Sequence, residues 1–192
     1  MNKIVSSISV SLDGFFEDPD GGIDWGLVDE ELHQHFNDTF RTAGAFLEGR
    51  VTYLQMEEFW PTADQDPANE GPMAEFAGIW RDMPKYVYSR TLESVGPGAT
   101  LLREVDRDQV CAVRDAAPGD LIVGGADLVE TFRRLDLVDE YRIYVHPVLI
   151  GRGRPFFGDA EDRQGLRLLA SRTFGNGVVL LRYETDPAPA DA

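Results

Sequence analysis

The sequence predicts an α/β protein with a mainly parallel, twisted central sheet, an antiparallel C-terminal edge hairpin and helices on both faces. Strand-like and helix-like segments alternate through the first two-thirds of the chain, which is the pattern of parallel strands joined by crossover helices. The last third carries strand-like segments with no helix between them, which indicates antiparallel pairing. The 192 residues, 43% of them hydrophobic, suit one domain at residues 1–185.

The first half of the chain is predicted to hold two strand–helix units and a further helical segment. Residues 4–12 form a predicted strand, and residues 13–25 form a loop rich in Gly and Asp. A helix is predicted at residues 29–42, because Leu32, Phe36 and Phe40 recur on one face. A strand at 45–48, a helix at 52–59, an acidic loop at 62–71 and a helical segment at 72–83 follow.

The second half begins with short strands and ends in a hairpin. Strands are predicted at 85–89 and 121–123, with a weaker one at 109–113 and a helix at 128–135. A long strand at 140–150 follows, and strands at 167–174 and 178–184 form a hairpin around Gly175-Asn176-Gly177. Residues 186–192 (DPAPADA) are predicted to be a disordered tail.

The charge balance excludes two classes of partner. The chain has 34 acidic and 18 basic residues, a formal net charge of −16. Such a field repels nucleic-acid backbones and anionic membrane surfaces, so neither is expected to bind. No apolar run approaches the roughly 18 residues of a membrane helix, and no signal-peptide segment precedes the first strand. A cytoplasmic location is therefore expected.

Cysteine and histidine positions argue against a metal site. Cys111 is the only cysteine, which excludes a disulfide scaffold and a Cys-rich zinc site. His33 and His35 stand two residues apart on a predicted helix and so point to different faces. We therefore expect no metal ion.

Two strand-to-helix junctions carry residues suited to binding phosphate. In the first, Gly49 leaves a strand, Arg50 follows, and Thr52 with Gln55 forms a capping-box pattern. Backbone N–H groups at a helix start and a fixed guanidinium together bind phosphate well. The structural alternative is that Thr52 only caps its helix and Arg50 pairs with a surface carboxylate.

The second junction follows the strand at 121–123. Gly124 and Gly125 would let a ligand approach the backbone closely, and the next helix would present free N–H groups. Asp127 and Glu130 are predicted to cap that helix, and their charge would compete with a phosphate there. Neither a G-x-G-x-x-G fingerprint nor a Walker pattern occurs, so no standard Rossmann or P-loop site is predicted.

Taken in order, these junctions and other segments resemble the dihydrofolate reductase-like superfamily. The closer likeness is to its branch related to the reductase domain of bifunctional riboflavin-biosynthesis enzymes. The matching segments are SVSLDG from Ser9, GRVTY from Gly49, YVYSRTL from Tyr86, IVGG from Ile122, DEYRIYV from Asp139, PVLIGRG from Pro147 and NGVV from Asn176. The resemblance covers residues 3–184 and implies a stand-alone reductase, because the deaminase half of those enzymes needs paired cysteines for zinc.

The resemblance implies NADPH as cofactor and indicates which residues would contact it. Those expected at the adenosine 2′-phosphate and pyrophosphate are Gly49, Arg50, Thr52, Ser89, Arg90, Thr91, Gly124, Gly125, Ala126, Asp127 and Leu128. Ser9 and Gly14 are expected beside the nicotinamide. A chain this acidic needs local cations to hold a multiply charged anion, and Arg50 and Arg90 would supply them.

The resemblance also implies three candidate catalytic residues. Folate reductases carry a carboxylate one turn into the first helix, after a tryptophan, and Glu30 stands at about that position after Trp25. Asp13 belongs to the Ser-Leu-Asp-Gly motif near the substrate end. His146 lies on the strand where folate reductases place a hydroxyl residue, and its titration suits proton delivery or hydrogen bonding. Trp25 and Phe16 are expected to contact substrate.

Each catalytic candidate has a structural alternative. Glu30 belongs to a run of acids that the helix dipole favours. Asp13 could serve only to organise the turn before Gly14. A histidine before proline on a strand, such as His146, is often a hydrogen-bonded core residue.

The expected reaction is transfer of a hydride from NADPH to a C=N or C=O bond of a small pterin- or pyrimidine-like heterocycle. The alternatives are a true dihydrofolate reductase, which requires Glu30 to face the pocket, and a non-catalytic NADP-binding or sensing protein. A homodimer is expected, because relatives of the riboflavin type associate through late antiparallel strands. The apolar run at residues 145–150 would suit such pairing.

Overall fold

The computed structural model describes residues 1–158 and 163–186. Residues 187–192 of the predicted tail lie outside this range. The strands are β1 (Ile4–Ser11), β2 (Phe15–Glu17), β3 (Ala45–Gly49), β4 (Lys85–Tyr88), β5 (Ala99–Leu102), β6 (Leu121–Gly124), β7 (Glu140–His146), β8 (Arg154–Pro155), β9 (Leu166–Thr173) and β10 (Val179–Thr185).

The helices of the described chain lie between the strands of the first two-thirds. They are α1 (Glu30–Phe40), α2 (Arg50–Phe59), α3 (Pro72–Asp82), α4 (Arg107–Ala116) and α5 (Ala126–Arg134), with a 3₁₀ helix at Trp60–Gln65. None of these described helices has the length and apolar character needed to cross a membrane.

Eight strands form one sheet in the order β5-β4-β3-β6-β1-β7-β10-β9. Every neighbouring pair from β5 to β7 is parallel, whereas β10 pairs antiparallel with both β7 and β9. β2 and β8 form a separate antiparallel ribbon. The predicted class, a mainly parallel sheet with an antiparallel C-terminal hairpin at one edge, is confirmed.

Helices cover both faces of the sheet, and β3 illustrates the reason. Its Leu47 packs with Val110 of α4 and Phe132 of α5. Its neighbour Phe46 packs on the other face against Trp80 of α3, with ring centroids 5.7 Å apart. Because successive strand residues point to opposite faces, a strand with consecutive buried apolar residues needs a helix layer on each side.

Two local predictions are wrong. Residues 109–113, predicted to be a weak strand, belong to α4: Asp106 accepts a hydrogen bond from the Gln109 N–H at 2.7 Å, and Val110, Val113 and Ala117 share one buried face at helical spacing. β5 has no counterpart among the predicted strands, because its residues are half-buried or exposed and therefore show little apolar patterning.

Residues 145 and 146 of the run at 145–150 cannot pair with a second molecule, contrary to expectation, because they belong to β7. β7 lies between β1 and β10, so both of its edges are already hydrogen-bonded. The strand ends at His146, because Pro147 has no N–H to continue the ladder. The strand at this end of the sheet with an open edge is β9.

A buried carboxylate joins the parallel and antiparallel parts of the sheet. Glu140 opens β7, with 1% of its side chain exposed, and accepts hydrogen bonds from Lys3 Nζ at 3.0 Å, Arg142 Nε at 2.8 Å and Arg182 Nε at 2.9 Å. Burial acts to raise the pKa of Glu140, but its bonds to Arg142, Lys3 and Arg182 outweigh burial and lower the pKa to about 2. The three cations come from the start of β1, from β7 and from β10.

We expect Glu140→Gln to lower the free energy of unfolding by about 3 kcal/mol at neutral pH, because three cations would then surround a neutral buried amide. The folded-state pKa of Glu140 lies below its ordinary 4.5, so the carboxylate stabilises the protein above that pH and loses this contribution as the pH falls toward 2. Over that interval the wild type should lose more stability than the variant. Urea unfolding at several pH values measures both effects.

Glu184→Gln is the matched control. Glu184 lies opposite Glu140 in the β7–β10 register but forms its ion pair with Arg167 at the surface. Its loss should change the free energy of unfolding by less than about 1 kcal/mol. Equal losses in the two variants would contradict the special role of Glu140.

Candidate functional site

The carboxyl ends of five neighbouring parallel strands meet at one edge of the sheet, in the order β4, β3, β6, β1, β7. Most of the predicted site residues follow these ends: Ser89–Thr91 after β4, Gly49–Thr52 at β3, Gly124–Gly125 at β6, Asp13–Gly14 after β1, and His146 at the end of β7. Ligand sites of parallel sheets lie outside the carboxyl ends of the strands. The topology therefore brings together residues that are more than 130 positions apart in sequence.

Two adjacent helix N-termini open at this edge. α2 begins directly after Gly49 and α5 directly after Gly125, and no side chain of the described residues caps either helix. The first N–H groups of a helix have no partner within the helix, so these two sets of donors can serve a ligand. Because β3 and β6 are paired, the two helix starts are neighbours.

Thr52 has a different role from the predicted one. α2 begins at Arg50 with Gly49 as its N-cap, so Thr52 lies inside the first turn and the capping-box prediction is wrong. Gly125 has φ +87°, and a Cβ there would lie 2.8 Å from Thr52 Oγ1. The close approach of Thr52 and the left-handed backbone together require glycine at position 125.

Two arginines at this edge are exposed. Within residues 1–158 and 163–186, neither Arg50 nor Arg90 forms an ion pair or hydrogen bond with another residue. Their guanidinium groups have no carboxylate partner among the described residues. They leave two fixed positive charges available beside the helix starts.

The turn after β4 is held by hydrogen bonds within the turn and by hydrogen bonds from Arg103, which follows β5. The buried Ser89 hydroxyl accepts hydrogen bonds from the Thr91 and Leu92 N–H groups at 3.2 and 3.0 Å. Arg103 Nη1 donates to the carbonyls of Ser89 and Leu92 at 3.0 and 2.6 Å. Arg103 was not a predicted site residue, and no motif points to it because it follows β5, the strand that lacked a sequence signal.

Acidic residues of α5 do not compete for the same donors. The Asp127 carboxylate binds Arg154, which also lies 3.6 Å from Glu17. Glu130 binds Arg133 and Arg134, both through Nε at 2.7 Å. The predicted capping of α5 by Asp127 and Glu130 is therefore wrong, and both carboxylates are partly neutralised by arginines.

The remaining residues predicted to bind the cofactor form core contacts or backbone hydrogen bonds. Ala126 and Leu128 are buried in the core, so near a ligand they would offer their N–H groups. Ser9 lies in β1 opposite Tyr144 of β7. Gly14 is exposed at φ +88°, and its N–H donates to the Ser11 carbonyl at 2.9 Å.

Asp13 connects the end of β1 to the loop after β7. Its exposed carboxylate accepts hydrogen bonds from the Ser11 hydroxyl and from the N–H groups of Gly151 at 2.8 Å and Ile150 at 3.3 Å. The Ser11 bond and these backbone bonds lower the pKa of Asp13. An ionised, hydrogen-bonded carboxylate is suited to positioning the two loops and poorly suited to donating a proton.

His146 and Trp25 are in contact. His146 is fully buried, and its Nδ1 accepts the Leu27 N–H at 3.0 Å. The Trp25 ring meets it edge to face, with centroids 5.6 Å apart and an interplanar angle of 87°. Burial lowers the pKa of His146, so the ring is neutral at physiological pH.

Glu30 lies apart from the other two catalytic candidates. It is exposed in the first turn of α1 and lines an open cavity of about 430 Å³ with residues of α1 and Arg172 of β9, whereas Asp13 and His146 do not line this cavity. Its neighbour Glu31 accepts hydrogen bonds from Arg172 and the Gly175 N–H, both at 2.9 Å. No described residue hydrogen-bonds to the Glu30 carboxylate.

Phe16 lies on the separate ribbon beside the site. Its ring packs edge to face against Phe156, with centroids 6.4 Å apart, and the Arg154 guanidinium lies 5.3 Å from its centre. Arg154 therefore contacts Phe16 and, through its ion pair, also Asp127.

The residues present fit a multiply charged anion such as a dinucleotide. At the carboxyl ends of the parallel strands lie two uncapped helix starts and two guanidiniums without partners. Gly125 lies there too, where a Cβ would meet Thr52. Among the described residues, no group of three or more His, Cys, Asp or Glu could hold a metal ion.

Solved structures share the fold over nearly the whole chain. A protein named for riboflavin biosynthesis from Shewanella sp. PV-4 superposes with a TM-score of 0.72 at 22% identity, covering 97% of this chain and 99% of that one. The dihydrofolate reductase of Enterococcus faecalis, complexed with NADP(H) and RAB-propyl, superposes with a TM-score of 0.63 at 14% identity, covering 96% of each chain.

Sequence comparison identifies closer relatives. The uncharacterized protein YyaP of Bacillus subtilis (strain 168) is 33% identical over 185 residues, which is 94% of each chain. The family model of the RibD C-terminal domain matches residues 2–180. The chain therefore belongs to the RibD C-terminal domain family, with a dihydrofolate reductase-like fold.

Proposed function

We propose that this protein is an NADPH-dependent reductase that transfers hydride to a C=N or C=O bond of a small pterin- or pyrimidine-like heterocycle. The observation that carries the proposal is the pair of uncapped helix starts, after Gly49 and Gly125, beside the unpaired Arg50 and Arg90. Membership of the RibD C-terminal domain family supports an oxidoreductase.

The chain's own residues would hold the cofactor phosphates. Arg50 and Arg90 would pair with the 2′-phosphate, and the first N–H groups of α2 and α5 would donate to the pyrophosphate. Ser89, whose oxygen already accepts two N–H groups, still has its own O–H to donate. NADPH, when bound, supplies the hydride.

The substrate-side residues would have separate roles. Asp13 would act as a positioning residue, because its carboxylate is already bound to the loop at residues 150–151. Glu30 is exposed and lies apart from Asp13 and His146, so it would relay a proton to the heterocycle through intervening water. His146, with Trp25 and Phe16, would contact the heterocycle.

Two other functions make different predictions. A true dihydrofolate reductase would turn over dihydropterins and depend on Glu30. A non-catalytic NADP-binding or sensing protein would bind NADPH tightly but would show no substrate-dependent oxidation of it. A cytoplasmic location stays a prediction.

NADPH should raise the melting temperature more than NADH at equal concentration, because Arg50 and Arg90 would recognise the 2′-phosphate. A ligand at a hundred times its Kd stabilises the folded protein by about 2.7 kcal/mol. Differential scanning fluorimetry over a range of cofactor concentrations measures this.

Arg50→Ala should weaken NADPH binding about tenfold, the effect of losing one charged hydrogen bond, while leaving the weaker NADH response nearly unchanged. Arg167→Ala is the control, since it removes the same charge from β9 at the far end of the sheet. No stabilisation by millimolar NADPH in the wild type would refute the proposed cofactor.

Glu30→Gln should reduce turnover about 100-fold with an accepted pterin or pyrimidine, because a relayed proton contributes at least that much to such reactions. NADPH-induced stabilisation should not change. Asp38→Asn, which alters a second carboxylate lining the same cavity on α1, should retain turnover. Full activity of Glu30→Gln would exclude Glu30 as the proton relay.

We further propose a homodimer formed through β9. This edge strand exposes Leu166 and Leu168, with 41% and 52% of their surface accessible, and open edges favour pairing with a second copy. Leu168→Lys should convert the dimer to monomer in size-exclusion chromatography with light scattering, whereas Leu54→Lys on α2 should not. A monomeric wild type at tens of micromolar would contradict this.

A further inference from the structure

The hydrogen bond from Leu27 determines which nitrogen of His146 carries the proton. The Leu27 N–H points at Nδ1 from 3.0 Å, and a nitrogen that accepts a hydrogen bond cannot carry a proton. In the neutral ring the proton must therefore be on Nε2. Turning the ring over would place a carbon against the Leu27 N–H and leave that N–H without a partner.

The Leu27 backbone, which determines this tautomer, is also held through its carbonyl. Asn176 Nδ2, in the β9–β10 turn, donates to the Leu27 carbonyl at 3.1 Å. A Cβ on Gly26 would lie 3.9 Å from His146 Cε1, so the chain passes directly along this side of the ring. Leu27 is therefore fixed against Nδ1, and Nε2, the other nitrogen bonded to Cε1, is not the one that this N–H meets.

Two buried donors in this contact have nothing to bind. His146 Nε2 and Trp25 Nε1 are both inaccessible to solvent and have no hydrogen-bond partner among the described residues. Their rings touch edge to face. Because an unpaired buried N–H costs free energy, an acceptor that reached these two groups would stabilise the contact.

The surroundings favour a neutral His146. Its cross-strand neighbour on β1 is Ser11, and the loop packed on it contributes Trp25, Gly26 and Leu27. Asp13, the charged group next along β1, is bound to Ser11 and the loop at residues 150–151. Protonating Nδ1 would break the Leu27 hydrogen bond, and no described carboxylate contacts the ring to compensate.

We infer that His146 is a neutral hydrogen-bond donor through Nε2, and that it and Trp25 Nε1 select a ligand by a hydrogen-bond acceptor, such as the carbonyl oxygen or an unprotonated ring nitrogen of a heterocycle. His146 thus recognises substrate and does not deliver the proton. The identity of the ligand as a reducible heterocycle rests on the proposed function, whereas the tautomer does not.

The tautomer is measured on the ligand-free protein by ¹⁵N NMR of the imidazole nitrogens, with His146 assigned by its absence in His146→Gln. We expect Nε2 protonated, Nδ1 unprotonated and a second proton bound only at a pH below the ordinary pKa of histidine. A proton on Nδ1, or titration near the ordinary pKa of histidine, would overturn the inference whatever the cofactor result.

Two substitutions at His146 distinguish the role of Nε2 from that of Nδ1. His146→Asn keeps an acceptor for the Leu27 N–H but removes the distal donor, whereas His146→Gln keeps a donor at the distal position. With uracil as probe and NADPH present, calorimetry should give a Kd at least tenfold weaker for His146→Asn than for wild type. His146→Gln should remain within about threefold.

Equal uracil affinity in both variants, or no uracil binding to the wild type, would count against recognition by Nε2. NADPH-induced stabilisation of the same three proteins is measured alongside. Its absence from the wild type would refute the proposed cofactor and leave the tautomer result standing, so the two failures are distinguishable.

Discussion

Parallel pairing of β1 with β6 on one side and with β7 on the other is the constraint on which the rest of the structure depends. It aligns the carboxyl ends of the central strands, so the glycine pair of β6, Asp13 and His146 reach the same edge. β1 starts at residue 4 and β7 at residue 140, so this alignment requires long-range pairing. Glu140 supports it where β7 begins, because its carboxylate binds cations belonging to both neighbours of β7.

The distribution of charge explains how so acidic a chain could hold an anion. Two acids of α5 close to the candidate site are paired: Asp127 with Arg154, and Glu130 with two arginines of its own helix. Arg50 and Arg90 stay without carboxylate partners among the described residues. Arg50 and Arg90 therefore offer positive charge at these strand ends although the net charge of the chain is −16, and nearby charges dominate screened electrostatics.

Hydrogen bonding also distinguishes the residues of the proposed substrate side. Asp13 and Leu27 have their polar atoms bound to other parts of the chain and so order the loops that surround the site. His146 combines both roles, since one nitrogen holds Leu27 and the other has no partner in the described structure. Such a division, with one end of a side chain satisfied and the other open, fixes the ring before a ligand arrives and reduces the entropy cost of binding.

The sequence by itself determined the α/β class, the order of most strands and helices, and the junctions at Gly49 and Gly124–Gly125, because local periodicity and glycine placement are readable along the chain. Only the tertiary structure decided that α4 replaces a predicted strand, that β7 is internal and β9 is the open edge, and that Thr52 packs against Gly125. It also decided that Arg154 neutralises Asp127, that Arg103 supports the turn after β4, and which nitrogen of His146 is free. Apart from α4, whose Asp106 cap and helical spacing are local features, each of these depends on contacts between residues distant in sequence, and neither periodicity nor motif spacing carries information about such contacts.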